Sequence, residues 1–138
     1  MRVPIVFLTL ALTGCIASEA FPTIIDNRSK HPITVRYHHE DYPSWSATWT
    51  IPSNEAQSFA RDHWVQDIVS IQIQDGKKLI TLGALEMQTV RSACNNSLLG
   101  RRLKLAGDCY VIYSGNGRWT ATSQTPSGLY DRLNKSLE

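Results

Sequence analysis

The sequence predicts an all-β domain, a small antiparallel β-sandwich of about seven strands, over residues 23–122. Apolar side chains recur at every second residue over much of this region, which is the period of a half-buried strand. These alternating segments are short and are separated by turn residues, as in all-β domains. No long helical pattern lies between them, which disfavours a fold that alternates strands with helices.

The first clear strand follows Pro32. One face of this strand carries Ile33, Val35 and Tyr37, and the other carries Thr34, Arg36 and His38. A second alternating segment covers residues 45–51 and ends at the turn signal Pro52-Ser53-Asn54. Its apolar side chains share one face and are expected to lie in the core: Trp45, Ala47, Trp49 and Ile51.

Two hairpins are predicted further along the chain. In the first, Val69, Ile71 and Ile73 alternate with polar residues before the turn Asp75-Gly76, which leads into a strand from Lys78 to Leu82. Aspartate followed by glycine is a strong signal for a tight hairpin turn. In the second, Gly115-Asn116-Gly117 separates strands at residues 110–114 and 118–122.

The remaining segments are less regular. Gly83 to Ser92 fits neither the strand period nor the helix period cleanly, and a single short helix is one interpretation. Residues 123–138 form a C-terminal tail in which leucines at helical spacing predict a short helix. We expect the sandwich to be immunoglobulin-like or transthyretin-like, with a small β-barrel as the alternative.

Residues 1–14 have the features of a secretory signal peptide. Arg2 precedes an apolar run of about ten residues that contains no acid and is too short to cross a hydrocarbon core of about 30 Å. The next four residues, Leu12-Thr13-Gly14-Cys15, resemble the lipobox of bacterial lipoprotein precursors. This resemblance implies cleavage before Cys15, a diacylglyceryl thioether on its sulfur, and usually an acyl chain on the new amino group. Residues 15–22 would then be a lipidated tether.

The residue after the lipobox cysteine bears on localisation. Ile16 stands where plasma-membrane-retained lipoproteins of enteric bacteria typically carry aspartate, so the resemblance implies the outer membrane, with the domain facing the periplasm. An alternative cleavage site follows Ser18-Glu19-Ala20, whose small residues suit signal peptidase. Cleavage there would release a secreted protein without lipid.

Three cysteines are present, and Cys15 is accounted for by either route. Cys94 and Cys109 remain as an even pair in an oxidising compartment, which predicts a disulfide. The alternative is a free thiol at one of them that acts as a nucleophile or metal ligand.

Charge is unevenly distributed along the chain. Residues 15–76 hold four Arg and Lys against eight Asp and Glu, whereas residues 77–118 hold seven against two. The overall charge of +2 is far from that of a dedicated nucleic-acid binder, so we expect no nucleic-acid partner. One interpretation of this asymmetry is that the two sheets have solvent-exposed faces of opposite charge. The other is contact with lipid headgroups or an acidic partner, for which the candidates are Arg91, Arg101, Arg102 and Lys104, with Tyr42 as an exposed aromatic.

No catalytic or metal-binding set is evident. In a continuing strand, His38 and His39 would point to opposite faces, so we interpret them as exposed strand-end histidines. A zinc protease motif starting at His39 would need a second histidine where Pro43 stands. There is no Gly-x-Ser-x-Gly sequence for a hydrolase nucleophile. We therefore expect no catalytic residues, no metal and no cofactor.

These observations favour a lipid-anchored periplasmic binding or scaffold protein of an envelope assembly, attached to the membrane by its lipid and bound to a protein partner. One alternative is a secreted or periplasmic inhibitor or immunity protein that inserts a loop such as Glu40 to Trp45 into a target. Another is a small hydrolase or metal carrier that uses His63, His38 or His39.

Overall fold

The computed structural model describes residues 23–59, 67–94 and 109–133 of the 138-residue chain. Within these ranges it confirms the predicted β-sandwich, with eight strands where about seven were expected. The signal peptide, Cys15 and His63 lie outside the described residues, as do three of the basic candidates, Arg101, Arg102 and Lys104.

The strands are, in chain order, β1 (Thr23–Asn27), β2 (Ile33–His39), β3 (Trp49–Ile51), β4 (Glu55–Phe59), β5 (Ile68–Asp75), β6 (Lys78–Leu82), β7 (Cys109–Gly115) and β8 (Arg118–Thr122). Two four-stranded sheets result, with the orders β4-β1-β7-β8 and β3-β2-β5-β6. The described strands thus form two separate sheets and not the alternative single barrel. One pairing departs from the expected antiparallel arrangement, because β1 and β7 are parallel.

The two sheets are aligned, so that their strands end together. At one end, Asn27 Nδ2 donates a hydrogen bond to the Ile51 carbonyl oxygen (3.0 Å), and Tyr113 Oη donates to Asp75 Oδ2 (2.6 Å). We call this the Asn27 end. The opposite end, which we call the Thr23 end, holds the other termini of the same sheets: Thr23, His39, Leu82 and Cys109.

The core lies between the sheets and is built from alternate strand residues. Side chains that share the inward faces and are at most 1% exposed include Ile25, Ile33, Val35, Ile51, Ile68, Ile71, Ile73, Leu82, Val111 and Tyr113. This alternation confirms the inward face predicted for the start of β2. Removing such branched side chains from water provides the main favourable free energy for packing the sheets.

The prediction of a core strand over residues 45–51 is wrong for the first half of that segment. Only Trp49 to Ile51 forms β3, and Ala47 and Thr48 are exposed, while Trp45 is half-buried. The reason is local: the Ser46 amide donates to the Tyr37 carbonyl oxygen (2.8 Å), and the Tyr37 amide donates to the Ser46 hydroxyl (2.9 Å). The Ser46 hydroxyl thereby takes the place of a backbone carbonyl as the partner of the Tyr37 amide, and the regular strand pairing ends there.

A second expectation fails at Val69, which the alternation predicts to share a face with Ile71 and Ile73. Val69 is 43% exposed, and Ile68 is buried instead. The pairing of β2 with β5 shifts between His38 and His39, which lie opposite Ser70 and Ile68 respectively. Val69 is therefore the extra residue of a β-bulge, and a bulge reverses which side chains face inward.

Helix α1 (Ala84–Cys94) occupies the segment for which a short helix was one interpretation. Its first turn is capped because the Gly83 amide donates to Glu86 Oε2 (3.0 Å), as glutamate does in a capping box. Met87, Val90 and Cys94 recur on one face and are buried in the core. A second helix, α2 (Leu129–Arg132), follows β8. Within the described ranges, neither helix has the length and apolar character needed to span a bilayer.

The disulfide joins the last residue of α1 to the first residue of β7. The sulfur atoms of Cys94 and Cys109 are 2.06 Å apart, and both residues are buried. The bond therefore connects helix to sheet at the Thr23 end and closes a loop of fifteen residues' separation.

We predict that replacing both cysteines, Cys94→Ala with Cys109→Ala, lowers the free energy of unfolding by about 3 kcal/mol, because the unfolded chain regains the entropy of an open loop. Urea unfolding measures this difference. A reductant should lower the urea midpoint of the wild-type protein and leave that of the double variant unchanged. Mass spectrometry that finds both thiols free in native protein would contradict the premise.

Candidate functional site

A pocket of about 260 Å³ lies beside the last residues of β2, at the Thr23 end of the sandwich. The residues that line it come from β2 and from the loop that follows: Tyr37, His39, Tyr42, Ser44, Trp45 and Ser46. Three of these six residues are tyrosine or tryptophan. The pocket includes Tyr42, the aromatic residue expected from the sequence to be exposed, and its side chain is 54% exposed.

The loop over residues 40–48 is held in place by hydrogen bonds along its length. At its start, the Glu40 amide donates to the Asp67 carbonyl oxygen (3.0 Å), and the Tyr42 amide donates to the His39 carbonyl oxygen (3.2 Å). Further along, the two bonds between Ser46 and Tyr37 connect the loop to β2. These bonds make the pocket wall a defined structure, which is a requirement for specific binding.

Aromatic contacts order the side chains around the pocket. Tyr37 stacks on Trp49, with ring centroids 5.8 Å apart and an interplanar angle of 4°. Trp45 contacts the His38 ring at 5.6 Å and receives the Arg36 guanidinium at 4.7 Å from its centroid. The cation–π contact is attractive because an aromatic ring face carries partial negative charge, whereas the stacked pair is held by dispersion and by the burial of apolar area.

The two neighbouring histidines have different environments. His38 is half-buried, and its Nε2 lies 2.8 Å from the Tyr42 carbonyl oxygen. His39 is only 6% exposed, and its Nδ1 accepts a hydrogen bond from the Asp41 amide (3.1 Å). The interpretation of both as exposed strand-end residues is therefore wrong for His39, because the alternation of β2 continues to its last residue and places His39 on the same face as Ile33 and Val35.

Metal binding has no support in the described part of the chain. Within residues 23–59, 67–94 and 109–133, no group of three or more His, Cys, Asp and Glu side chains could hold a metal ion.

A buried carboxylate forms a second cluster on the outer face of the first sheet. Asp26 is inaccessible to solvent and accepts hydrogen bonds from Arg132 Nε (3.1 Å) and Nη2 (2.7 Å), and from Arg28 Nε (2.9 Å). Arg132 belongs to α2, whose Leu129 is buried against Ala56 and Tyr110. The cluster thus docks the C-terminal tail, and both carboxylate oxygens are used in doing so.

A third polar cluster connects the two hairpins at the Asn27 end. Tyr113 Oη donates to Asp75 Oδ2 and accepts a hydrogen bond from the Gly117 amide (3.1 Å). Burial is the largest cause that raises the pKa of Tyr113 above its ordinary value of 10.0, and the hydrogen bond to Asp75 adds to it. Lys78 Nζ also donates to the Asn116 carbonyl oxygen (3.2 Å), so this cluster fastens one hairpin to the other.

Of the basic candidates for headgroup contact, only Arg91 lies within the described residues. Its side chain is half-buried, and Nη1 donates to the Ile68 carbonyl oxygen (3.1 Å), which fastens α1 to β5. Arg91 therefore has a structural contact as well as a position near the Thr23 end.

A wider depression of about 620 Å³ lies between α1 and β8. It is lined by Leu85, Glu86, Thr89, Trp119, Thr120 and Ala121. Leu85 is 77% exposed, but a single exposed leucine is common on protein surfaces. The smaller pocket beside β2 is the better candidate site because three of the residues that line it are tyrosine or tryptophan.

Comparison with protein-family models, with curated proteins and with solved structures finds no match for this chain. The sandwich architecture does not select a function, because unrelated activities share it.

The Asp26 cluster predicts that Arg132→Met lowers the free energy of unfolding by about 3 kcal/mol, because a buried carboxylate would keep only one of its two arginine partners. Urea unfolding measures this. The control is Asp131→Ala, at an exposed position in the same helix, which should change stability by less than about 0.5 kcal/mol. Equal effects of the two substitutions would show that the tail docks without help from the ion pair.

The raised pKa of Tyr113 predicts a loss of stability in alkali. Above pH 10 the unfolded chain releases the phenol proton while the folded chain keeps it, so the free energy of unfolding falls as pH rises from 10.0 towards the raised value. Urea unfolding at a series of pH values should show this fall in the wild type. The fall in the free energy of unfolding should be smaller in Tyr113→Phe. In Tyr130→Phe, where the replaced ring is 80% exposed, the fall should be as large as in the wild type. A fall of the same size in Tyr113→Phe would contradict the assignment.

Proposed function

We propose that this protein is a lipid-anchored binding module of a bacterial envelope assembly, facing the periplasm from the outer membrane and acting without catalysis. The observation that supports the proposal most directly is the sequence Leu12-Thr13-Gly14-Cys15 at the end of a signal-peptide pattern. It lies close to a folded domain, because β1 starts at Thr23, eight residues after Cys15.

The short tether limits how far the domain can lie from the bilayer. Residues 15–22 span at most roughly 26–29 Å when fully extended. A lipid on Cys15 would hold the Thr23 end of the sandwich within that distance of the membrane. Each buried methylene contributes about 0.8 kcal/mol, so two or three acyl chains would anchor the protein durably. The pocket beside β2 lies at this same end.

Binding, as opposed to catalysis, is supported by the chemistry of the pocket. It combines aromatic side chains with an exposed tyrosine, a residue type that often contributes strongly to binding. His39 Nδ1 accepts a bond from a backbone amide and so lacks a free lone pair for a general base. The disulfide between Cys94 and Cys109 suits an oxidising compartment such as the periplasm.

An inhibitor or immunity protein is a second candidate. The observation that favours it is the run of exposed residues from Glu40 to Ser44, which a target enzyme could contact. Recovery of a hydrolase in stoichiometric amount with the purified protein, and inhibition of that hydrolase by it, would favour this candidate over a scaffold.

The anchor predicts that Cys15→Ser abolishes both membrane fractionation and uptake of labelled palmitate, since no sulfur remains to carry the lipid. Circular dichroism and an intact disulfide should show that the exported domain still folds.

Ala20→Lys is the matched control for this experiment. It removes the small residue that the rival cleavage site needs, and it should leave labelling and fractionation unchanged. A mature amino terminus at Phe21, or retained labelling in Cys15→Ser, would overturn the proposal.

A further inference from the structure

A depression of about 220 Å³ lies on the outer face of the sheet β3-β2-β5-β6. Strand pairing places its side chains in two rows, because residues directly opposite each other in an antiparallel pair share a face. In one row, Thr34 lies opposite Gln74, which lies opposite Leu79. In the next row, Arg36 lies opposite Gln72. The depression therefore spans the centre of the sheet, on the face directed away from the core.

The side chain of Arg36 is held in position within this depression. Its Nε donates a hydrogen bond to Gln72 Oε1 (2.7 Å), and Gln72 Nε2 donates in turn to Thr81 Oγ1 (3.3 Å). The guanidinium carbon of Arg36 lies over the Trp45 ring, 4.7 Å from its centroid. These contacts reduce the side-chain entropy that Arg36 would lose on binding a ligand.

The terminal nitrogens of Arg36, Nη1 and Nη2, have no protein acceptor among the residues that the structure describes. None of the ion pairs in those ranges includes Arg36. Arg28 and Arg132, by contrast, both bond the buried carboxylate of Asp26. Arg36 thus offers N–H donors in a planar fork, which is the geometry that binds both oxygens of a carboxylate.

The acidic side chains closest along the chain do not neutralise Arg36. Glu40 and Asp41 follow His39, the last residue of β2, which lies three residues and roughly 10 Å along the strand from Arg36. This distance exceeds the Debye length of about 8 Å at physiological ionic strength, so these exposed charges are largely screened. At the other end of the sheet, Asp75 accepts the hydrogen bond of a buried tyrosine hydroxyl.

The other groups of the depression indicate what carries the carboxylate. Leu79 is 52% exposed and supplies an apolar surface. Gln74 Nε2 donates to the Gly76 carbonyl oxygen (2.7 Å), which leaves Gln74 Oε1 to accept from an amide. Tyrosine and tryptophan, whose rings are stacking platforms for sugars, are not among the described residues that line it. These features fit a peptide better than a glycan.

The size of the depression sets a further limit. Its volume of about 220 Å³ is below the roughly 300–1,000 Å³ of sites that enclose drug-sized ligands. It therefore suits the end of a longer chain. A peptide ends in a carboxylate, and the backbone amide and the last side chain lie close to that carboxylate.

We propose that this depression binds the carboxyl terminus of an extended segment of a protein partner. Arg36 Nη1 and Nη2 donate to the two oxygens of the terminal carboxylate, Gln74 Oε1 accepts from a backbone amide, and Leu79 contacts an apolar last side chain. This inference deepens the proposed binding function and rests on it, because it names the chemistry by which the module holds its partner.

The test uses the exported chain in its Cys15→Ser form, which carries no acyl chain. Nα-acetyl-Ala-Leu is titrated into the ¹⁵N-labelled protein by NMR and compared with its carboxyl-terminal amide, which has the same shape without the charge. The free acid should bind at least about tenfold more tightly, a difference of about 1.4 kcal/mol, and should shift the backbone amides of Thr34, Arg36 and Gln72. Equal affinity for the two compounds, no binding of the acid, or shifts confined to other strands would overturn the proposal.

Matched variants locate the binding. Arg36→Gln should weaken binding of the free acid by at least about tenfold, and Arg36→Lys by about threefold, because an ammonium group keeps the charge without the two parallel bonds. Arg118→Gln is the control, because Arg118 is exposed on β8 and does not line the depression. Urea unfolding of each variant separates loss of binding from loss of folding. Unchanged affinity in a folded Arg36→Gln variant would overturn the assignment.

The variant Leu79→Ser tests the apolar contact. The parent should bind Nα-acetyl-Ala-Leu more tightly than Nα-acetyl-Ala-Gly, by about fivefold, because Leu79 shields the larger side chain from water. Leu79→Ser should bind the two peptides equally. The same preference in the variant as in the parent would overturn the role of Leu79.

Two further probes compare other anions with the peptide. Tighter binding of D-glucuronate than of Nα-acetyl-Ala-Leu would overturn the proposal in favour of an acidic glycan. Inorganic phosphate that binds as tightly as the peptide would show a general attraction for anions, and it too would overturn the assignment to a peptide terminus.

The two proposals fail separately. Membrane fractionation of the wild-type protein does not depend on the peptide, and NMR titration of the Cys15→Ser chain does not depend on the lipid. A negative peptide titration with normal palmitate labelling would therefore overturn the ligand and leave the anchor standing.

Discussion

The arrangement of the two sheets depends on the hydrogen bonds made by the buried side chain of Asn27. Its Nδ2 donates to the carbonyl oxygens of His31, Ile51 and Pro52 at 2.9–3.1 Å, and its Oδ1 accepts from the amide and hydroxyl of Ser29. One amide thus joins the end of β1, the turn into β2 and the end of β3. Because these groups are out of solvent, leaving any of them unpaired would cost roughly 1–3 kcal/mol, which favours this single alignment.

The alignment has consequences at the opposite end of the sandwich. With the Asn27 end fixed, the first residue of β1 and the last residues of β2 must emerge together. The disulfide from Cys94 to Cys109 adds α1 to that end, and Arg91 fastens the helix to β5. Thr23 and the aromatic pocket therefore lie at the same end of the sandwich because of strand direction, although more than ten residues separate Thr23 from Tyr37 in the chain.

The pocket exists because the regular pairing of β2 stops early. Ser46 uses its hydroxyl to take a strand position opposite Tyr37, and the loop before it folds over the β2 edge. Trp45, which a regular strand would bury, is left half-exposed at the rim, and Tyr42 lies beside it. The same irregularity that shortens β3 thus brings aromatic rings to the surface, where they can contact a ligand.

The sequence alone determined the features that depend on local periodicity and turn chemistry: the sandwich class, both hairpins and the inward face of β2. It also predicted the cysteine pair, because Cys15 belongs to the lipobox-like sequence and only Cys94 and Cys109 remain. It did not identify β1 and β4 as strands or the Val69 bulge, because these depend on pairing partners distant in the chain. The ion pair between Asp26 and Arg132 joins residues 106 positions apart, and no local pattern signals it. Only the tertiary structure decides such contacts. A solvent-exposed polar group can bond to water, but a buried one must find a partner within the protein, and that partner can lie anywhere in the chain.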